Sequence, residues 1–416
     1  MIKYLLAGPG NRGLSMFARP LLKDFKKTAK LAGLFDNSRL RLEGANKILG
    51  ANLPVYTDFN KALKELDVDS VIVCTKDTTH ADYIKKSLHA GKNVISEKPL
   101  CISARQCAQI LKASKETGKK VVVTHNVRYQ PAMMKIKEII DSGQLGKILS
   151  VAFNEKLDRR HGADYFRRWH RLKKNSGGLL IHKASHCFDV INWFVESEPD
   201  EVFAKGALRL YGKNGKFRSK RCLGCKHKKY CEFYADFSSN TDAKKLYFDA
   251  EADGNSYIRD GCVFDPEIDI EDAANVVYNY KNGVQVNFSL LAYSTYEGVE
   301  IIIEGTKGRL EYSETDTADC VPGSITIPGF NRYCGEKFHL YLINEGAKEI
   351  KPKKAKGGHG GADPLLREDL FCGKNNSDLA TLEEAINAVL IGDAANISIK
   401  TGRKVKIADL KKRNVN

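Results

Sequence analysis

No run of about 18 apolar residues occurs in the 416-residue chain, so no membrane-spanning helix is expected. The opening MIKYLLAGPGNRG has one lysine and a short apolar run. Glycines from Gly8 to Gly13 interrupt it and no small-residue cleavage site follows. It therefore reads as a first β-strand of a cytoplasmic protein, not as a secretory leader. The cysteines are odd in number, 11, and with no leader ahead of them a disulfide framework is not expected. Internal repeats and low-complexity stretches are lacking. The formal charge is +16, but the basic residues are not gathered into an aromatic-interleaved stripe, so no nucleic-acid partner is expected. The local runs are Lys351, Lys353, Lys354 and Lys356; Lys213 to Lys229; and Lys411, Lys412 and Arg413. They read as solvated surface, with attraction of anionic cofactors or substrates as the alternative.

What is present is an ordinary globular composition, 42% hydrophobic and 28% charged, with a length that suits two or three domains. Residues 1–125 alternate short apolar strands with helices: Lys3 to Ala7, Leu31 to Asp36, Ser70 to Thr75, Asn93 to Glu97 and Val121 to Thr124 as strands. Leu14 to Lys27, Phe59 to Leu66 behind Asp58, Thr79 to His89 and Ser103 to Thr117 read as helices. Continuous apolar strands separated by helices predict a parallel sheet covered on both faces. Residues 126–416 read as an α+β domain. They hold a helix over Pro131 to Ser142, a strand over Ile148 to Phe153 and a glycine-led helix over Ser176 to Trp193. Long strands follow at Ala274 to Tyr280, Val284 to Leu291, Val299 to Glu304 and Arg309 to Tyr312. Asn282-Gly283 signals a hairpin between the first two, and Thr381 with Glu384 signals a capping box on a final helix. The fold class is thus α/β, an N-terminal Rossmann sheet followed by an α+β domain.

Gly8-Pro9-Gly10-Asn11-Arg12-Gly13 fits the GxGxxG pattern, directly after a strand and opening a helix, with Asp36 ending the next strand about 23 residues on. Gly8 permits the tight turn, Gly10 lets backbone approach a pyrophosphate, and Gly13 allows close helix–strand packing. Asp36 suits the adenosine ribose hydroxyls and would repel a 2′-phosphate. NAD is therefore expected over NADP, a preference that the nearby Arg39 weakens.

Glu97-Lys98-Pro99 at the end of the fourth of these strands adds a further mark. Together with the glycine loop and Asp36, it makes the chain resemble the Gfo/Idh/MocA family of oxidoreductases, in its sugar- and glycoside-acting branch. The resemblance runs over essentially the whole chain. It includes Thr75 with His80, the stretch from Asn126 through Arg128 and Tyr129 to Pro131, and Arg168-Trp169. It continues with the helix carrying His182, His186 and Asp189, and with Thr401-Gly402-Arg403-Lys404-Val405. It implies that the second domain holds a large open, mainly antiparallel sheet, often buried in a dimer or tetramer. It implies Lys98 and His186 as the catalytic pair, Lys98 polarising the substrate oxygen and His186 acting as general acid/base. As cofactor contacts it implies Gly8, Gly10, Asn11, Arg12, Gly13, Asp36, Thr75, His80, Glu97, Lys98, Asn126, Arg168 and Trp169. A sugar ring can also stack on Trp169. Substrate contacts are expected from His182, Lys183, Arg128 and Tyr129. Gly357 to Asp363 resembles a stretch of the branch that includes NAD-dependent N-acetylgalactosaminidases, which adds His359 and Asp363.

Two features depart from that family. Many members carry Asp where this chain has His182, which removes a negative charge from the site, puts the identity of the base in question and points to an anionic or heavily hydroxylated substrate. His182 and His186 are also spaced to hold a metal. The second departure is a Cys- and Lys-rich insertion at about 212–262. In it Cys222, Cys225 and Cys231, with Cys262 or His227 as fourth ligand, suit a structural zinc; unliganded thiols or an iron–sulfur cluster are the alternatives. The expected function is an NAD-dependent dehydrogenase of a secondary hydroxyl on a sugar or glycoside, with ring C3 as the candidate position. The alternatives are a glycoside hydrolase working by transient oxidation, elimination and re-reduction, and a non-catalytic NAD- or sugar-binding regulator.

Overall fold

The computed structural model describes residues 1–237, 239–254, 257–316, 335–352, 355–373 and 378–413. Cys320, Cys334, Lys353 and Lys354 lie outside the described residues.

Two sheets organise the chain. The first holds β1 (Ile2–Ala7), β2 (Ala29–Phe35), β3 (Val55–Tyr56), β4 (Ser70–Val73), β5 (Asn93–Ser96) and β6 (Val121–Val123). All its pairs are parallel and their order is β3-β2-β1-β4-β5-β6. That is the Rossmann order, which places a crevice where β1 and β4 diverge, at the carboxyl ends of the strands. The strand centres are apolar because both faces are covered: Leu5, Leu6, Val71 and Ile72 are fully buried.

The second sheet is large and mixed. It comprises β7 (Ile148–Asp158), β8 (Pro199–Ala207), β9 (Ala273–Tyr280), β10 (Gln285–Ser294), β11 (Glu297–Gly305), β12 (Gly308–Asp316), β13 (Gly335–Leu342), β14 (Gly346–Glu349) and β15 (Val405–Lys406). Their order is β14-β13-β12-β11-β7-β10-β9-β8-β15, antiparallel except for β7 against β10. The Asn282-Gly283 turn joins β9 to β10, with Gly283 at φ 90°. One face carries Val276, Tyr278, Val286 and Phe288 into the core, against helices Ser185–Val195 and Leu382–Thr401. The opposite face leaves Phe203 and Val277, which pair in register, in solvent. Thr381 and Glu384 form the expected reciprocal cap of helix Leu382–Thr401.

Two expected helices are remodelled. Leu14 to Lys27 is a π-helical turn over Gly13–Ala18 followed by a short α-helix, Arg19–Lys23. Ser176 to Trp193 is not one helix: Leu179–His182 stops, Lys183 and Ala184 turn, and Ser185–Val195 restarts. His182, His186 and Asp189 therefore do not share one continuous helical face. Among the described residues no helix is long and apolar enough to cross a membrane.

Candidate active site

A cleft of about 1190 Å³ opens at the β1–β4 crevice, between the two sheets. Its floor is the glycine loop. Gly8 sits at φ 87°, and a Cβ there would lie 2.4 Å from the Cys74 carbonyl oxygen, so backbone closes in as the turn demands. A Cβ on Gly13 would meet the Gly8 carbonyl at 2.4 Å, which explains glycine where the following helical turn packs on the strand. Gly8, Gly10, Asn11, Arg12 and Gly13 all line the cleft. The loop, an acid beyond β2 and the crevice together fit a dinucleotide.

Asp36 lies at the cleft wall but not as an isolated charge. Its Oδ1 accepts from the Ser38 N–H at 2.9 Å and from Arg41 Nη1 at 2.8 Å. Burial pushes its carboxyl up, opposed by the Arg41 charge. Arg39, the residue expected to matter here, pairs instead with Glu43 at 3.0 Å. The cation beside Asp36 is Arg41, whose charge would lessen the repulsion of a 2′-phosphate there.

The chemistry-bearing residues face this floor. The Lys98–Pro99 bond is cis. Lys98 Nζ donates to the His182 carbonyl at 3.0 Å. This accounts for the broken helix: the His182 carbonyl receives Lys98, while the His186 N–H turns to the Lys183 carbonyl at 3.3 Å. Burial lowers the Lys98 ammonium to about 8, against the pull of Asp77 and Glu97. The His182 ring meets Asp77 through Nδ1 and Oδ2 at 2.5 Å, with both residues buried. Burial first, then the Lys98 charge, hold His182 well below the ordinary imidazole range, and burial pushes the Asp77 carboxyl up. An imidazole that donates Nδ1–H to Asp77 keeps Nε2 to accept a proton. His186 is also buried, its Nδ1 has no partner among the described residues, and burial with the charges of Lys98 and Lys183 holds it well below its usual range. Both imidazoles are therefore neutral at neutral pH.

Asp77 was not singled out from the sequence. It lies 105 residues from His182 in the chain, and only its place just past β4 at the crevice hinted at a role. Tyr165 and His170, which pack around the His182 ring at 5.5 and 4.2 Å between centroids, were likewise not foreseen. Lys183 reaches the cleft, paired with Glu155 on β7 at 2.9 Å. Trp169 and His182 meet edge to face, 5.6 Å between centroids, and Arg168 donates to the Tyr257 hydroxyl at 3.1 Å. Both line the cleft, as do Thr75, His80, Glu97, Asn126 and His359. The His80 ring is held between the carbonyls of Pro99 and Thr75, at 2.9 and 3.2 Å.

Three expected substrate contacts are placed otherwise. Arg128 is 1% exposed and forms a two-pronged pair with Asp189, both contacts 2.7 Å. Its guanidinium is spent inside the core, a geometry that matches a carboxylate edge to edge. Tyr129 is buried with its hydroxyl donating to Asp369 at 2.7 Å. Asp363 sits behind the cleft, accepting from Arg12 at 2.9 Å and Asn126 at 2.8 Å, with His359 3.0 Å away. It braces Arg12, whose Nε also donates to Glu97 at 2.7 Å.

The zinc reading is not supported. Cys222, Cys225, Cys231 and Cys262 do converge on one cavity of about 20 Å³. Yet no group of three or more His, Cys, Asp or Glu side chains among the described residues is arranged to hold a metal. Arg167 donates to Cys222 Sγ at 3.2 Å. His227 stacks on Phe217, 4.7 Å between centroids. None of the four is in a disulfide.

Fold and cleft together define a dinucleotide-binding oxidoreductase. Residues 2–125 match the NAD-binding Rossmann fold of the Gfo/Idh/MocA oxidoreductases, and residues 137–407 match that family's C-terminal alpha/beta domain. The chain belongs to the Gfo/Idh/MocA family. Along its whole length it is 34% identical to a Bacillus subtilis protein, YteT, whose name gives it as an oxidoreductase; 99% of each chain is covered. It is 32% identical over 144 residues to an inositol 2-dehydrogenase of Rhizobium meliloti, covering 35% of this chain and 42% of the relative. Among solved structures, an oxidoreductase domain protein from Kribbella flavida shares the fold at a TM-score of 0.69 and 18% identity, covering 98% and 99% of the two chains.

Proposed function

We propose that this chain is an NAD-dependent dehydrogenase acting on a secondary hydroxyl of a cyclitol, sugar or glycoside. The observation that carries the reading is the Lys98 ammonium beside two neutral buried imidazoles in the cleft that the glycine loop floors. The name of the Rhizobium relative supports the substrate class. NAD, when bound, supplies the hydride acceptor. Lys98 donates a hydrogen bond to the substrate oxygen and stabilises its developing negative charge. His186 takes the hydroxyl proton, as the family resemblance implies. Trp169 and Lys183 orient the ring. The half-exposed Phe203 and Val277 on the outer sheet face support a second copy packing there.

A second reading keeps the same fold and cofactor and exchanges the base. The short contact to Asp77 gives His182 an orienting partner, which His186 Nδ1 lacks among the described residues. A third concerns the net reaction: the resemblance of Gly357 to Asp363 favours glycoside cleavage through transient oxidation. The test is one panel of inositols, free sugars, uronates and aryl glycosides, read for NADH and for released aglycone. NADH formation on any polyol supports the dehydrogenase. Aglycone release without net NADH supports the hydrolase. Neither signal from protein that binds NADH would refute both.

A further inference from the structure

The insertion that carries the four cysteines also sends a segment back across the Rossmann sheet, and nothing in the catalytic scheme uses it. Residues Thr241–Asp253 lie along helix Arg39–Leu49, which follows the Asp36 turn. The approach is close: a Cβ on Gly44 would meet the Lys245 carbonyl at 3.0 Å. Three fastenings hold the segment down. Asp253 Oδ2 accepts from Ser38 Oγ at 2.7 Å and from the Leu40 N–H at 2.8 Å. Arg41 Nε donates to the Leu246 carbonyl at 2.9 Å while its Nη1 holds Asp36. Arg19 pairs with Asp242 at 2.8 Å.

The segment reaches the cofactor floor itself. Tyr247 is buried, and its hydroxyl accepts the Asn11 N–H at 2.9 Å. In a glycine-rich turn this N–H belongs to the set that faces a diphosphate. Tyr247 packs edge-on against Tyr257, 5.5 Å between centroids, and Arg168 donates to the Tyr257 hydroxyl. Tyr247, Asp253 and Tyr257 line the same cleft as Gly10 and Asp36. A dinucleotide lying along the glycine loop and Asp36 would have Tyr247, Asp253 and Tyr257 beside it.

We propose that Thr241–Gly254 together with Tyr257 form a clasp over the bound dinucleotide, in which the Tyr247 hydroxyl donates to the diphosphate and the Asp253 fastening must open before the cofactor can leave. This rests on the family's NAD binding and not on the identity of the substrate. Slow cofactor exchange follows from it. That is also the property an enzyme needs if it takes and returns a hydride within one encounter.

The test is the release rate of NADH, followed by its fluorescence in a stopped-flow chase with excess NAD, in the full chain and in Tyr247→Phe and Asp253→Ala. No sugar substrate is involved, so the result is independent of the proposed reaction. Loss of one such hydrogen bond is expected to speed release about fivefold, and the double substitution should speed it further. Thermal melting without cofactor should show each variant folded, with Tyr247→Phe the milder change. Release from the wild type that is unaltered in both variants would overturn the clasp, even if sugar oxidation proceeds. Slower wild-type release, with the variants faster, supports it even if no sugar is oxidised.

Discussion

Raising the pH should switch the site off through Lys98. The ammonium is inside the cleft, and burial lowers it to about 8 despite the opposing carboxylates of Asp77 and Glu97. For such a group the charged fraction falls from about nine-tenths at pH 7 to about one-tenth at pH 9, so turnover that needs the cation should drop about ninefold over that range. Both histidines are held well below 6.5, so the acidic limb should lie below pH 6.5 and not meet the alkaline one. Unfolding does not produce the same limb. A lysine lowered in the folded chain binds fewer protons than its unfolded form between about 8 and 10.5, so its contribution to stability rises with pH across that window. The assay is kcat in the oxidising direction from pH 5 to 10 at saturating NAD, with the melting temperature recorded at each pH. Lys98→Arg should move the alkaline limb upward. Asp77→Asn should move it below 8, because the carboxylate that supports the ammonium is gone. A limb near 8 that neither substitution moves would refute the reasoning.

Lys98→Met should lower turnover about 100- to 1,000-fold with NADH binding retained, as measured by fluorescence titration. His186→Ala should cost about 100- to 10,000-fold; if His182→Ala costs more, proton transfer runs through the Asp77-oriented ring. Asp36→Ala should weaken NAD binding and strengthen NADP binding, because Arg41 is left free for a 2′-phosphate; titration of both cofactors reads this, and unchanged preference would count against the role of Asp36. Arg128→Met should destabilise the fold by about 3–5 kcal/mol, read by denaturant unfolding, because the Asp189 carboxylate is left buried without its partner.

Much of the fold was legible because its signals are local. The glycine loop, the acid after β2, the Asn282-Gly283 turn and the Thr381–Glu384 cap each lie within a few residues of the structure they specify. Lys98 and the two histidines could be named for the site from the family resemblance. Three things were not readable. The stop at His182 has no glycine or proline to announce it; it follows from a carbonyl taken by a lysine 84 residues away. Arg128 gave no sign that its charge is consumed by Asp189, since that pairing exists only once two helical segments meet. The Cys- and Lys-rich stretch announced itself by its cysteines, yet its contact with the glycine loop is made by Tyr247, a residue unremarkable in sequence and 236 positions from Asn11.

The central claim is that the cleft between Lys98, His182 and His186 is where a hydride passes between a nicotinamide and a carbinol carbon. A crystal structure of the chain with NADH tests it most directly. The diphosphate is expected along Gly10 and Asn11, the adenosine ribose on Asp36, and the nicotinamide ring against Lys98 with its C4 face open toward His182 and His186. A nicotinamide lying away from Lys98, with both imidazoles shielded from its C4, would contradict it.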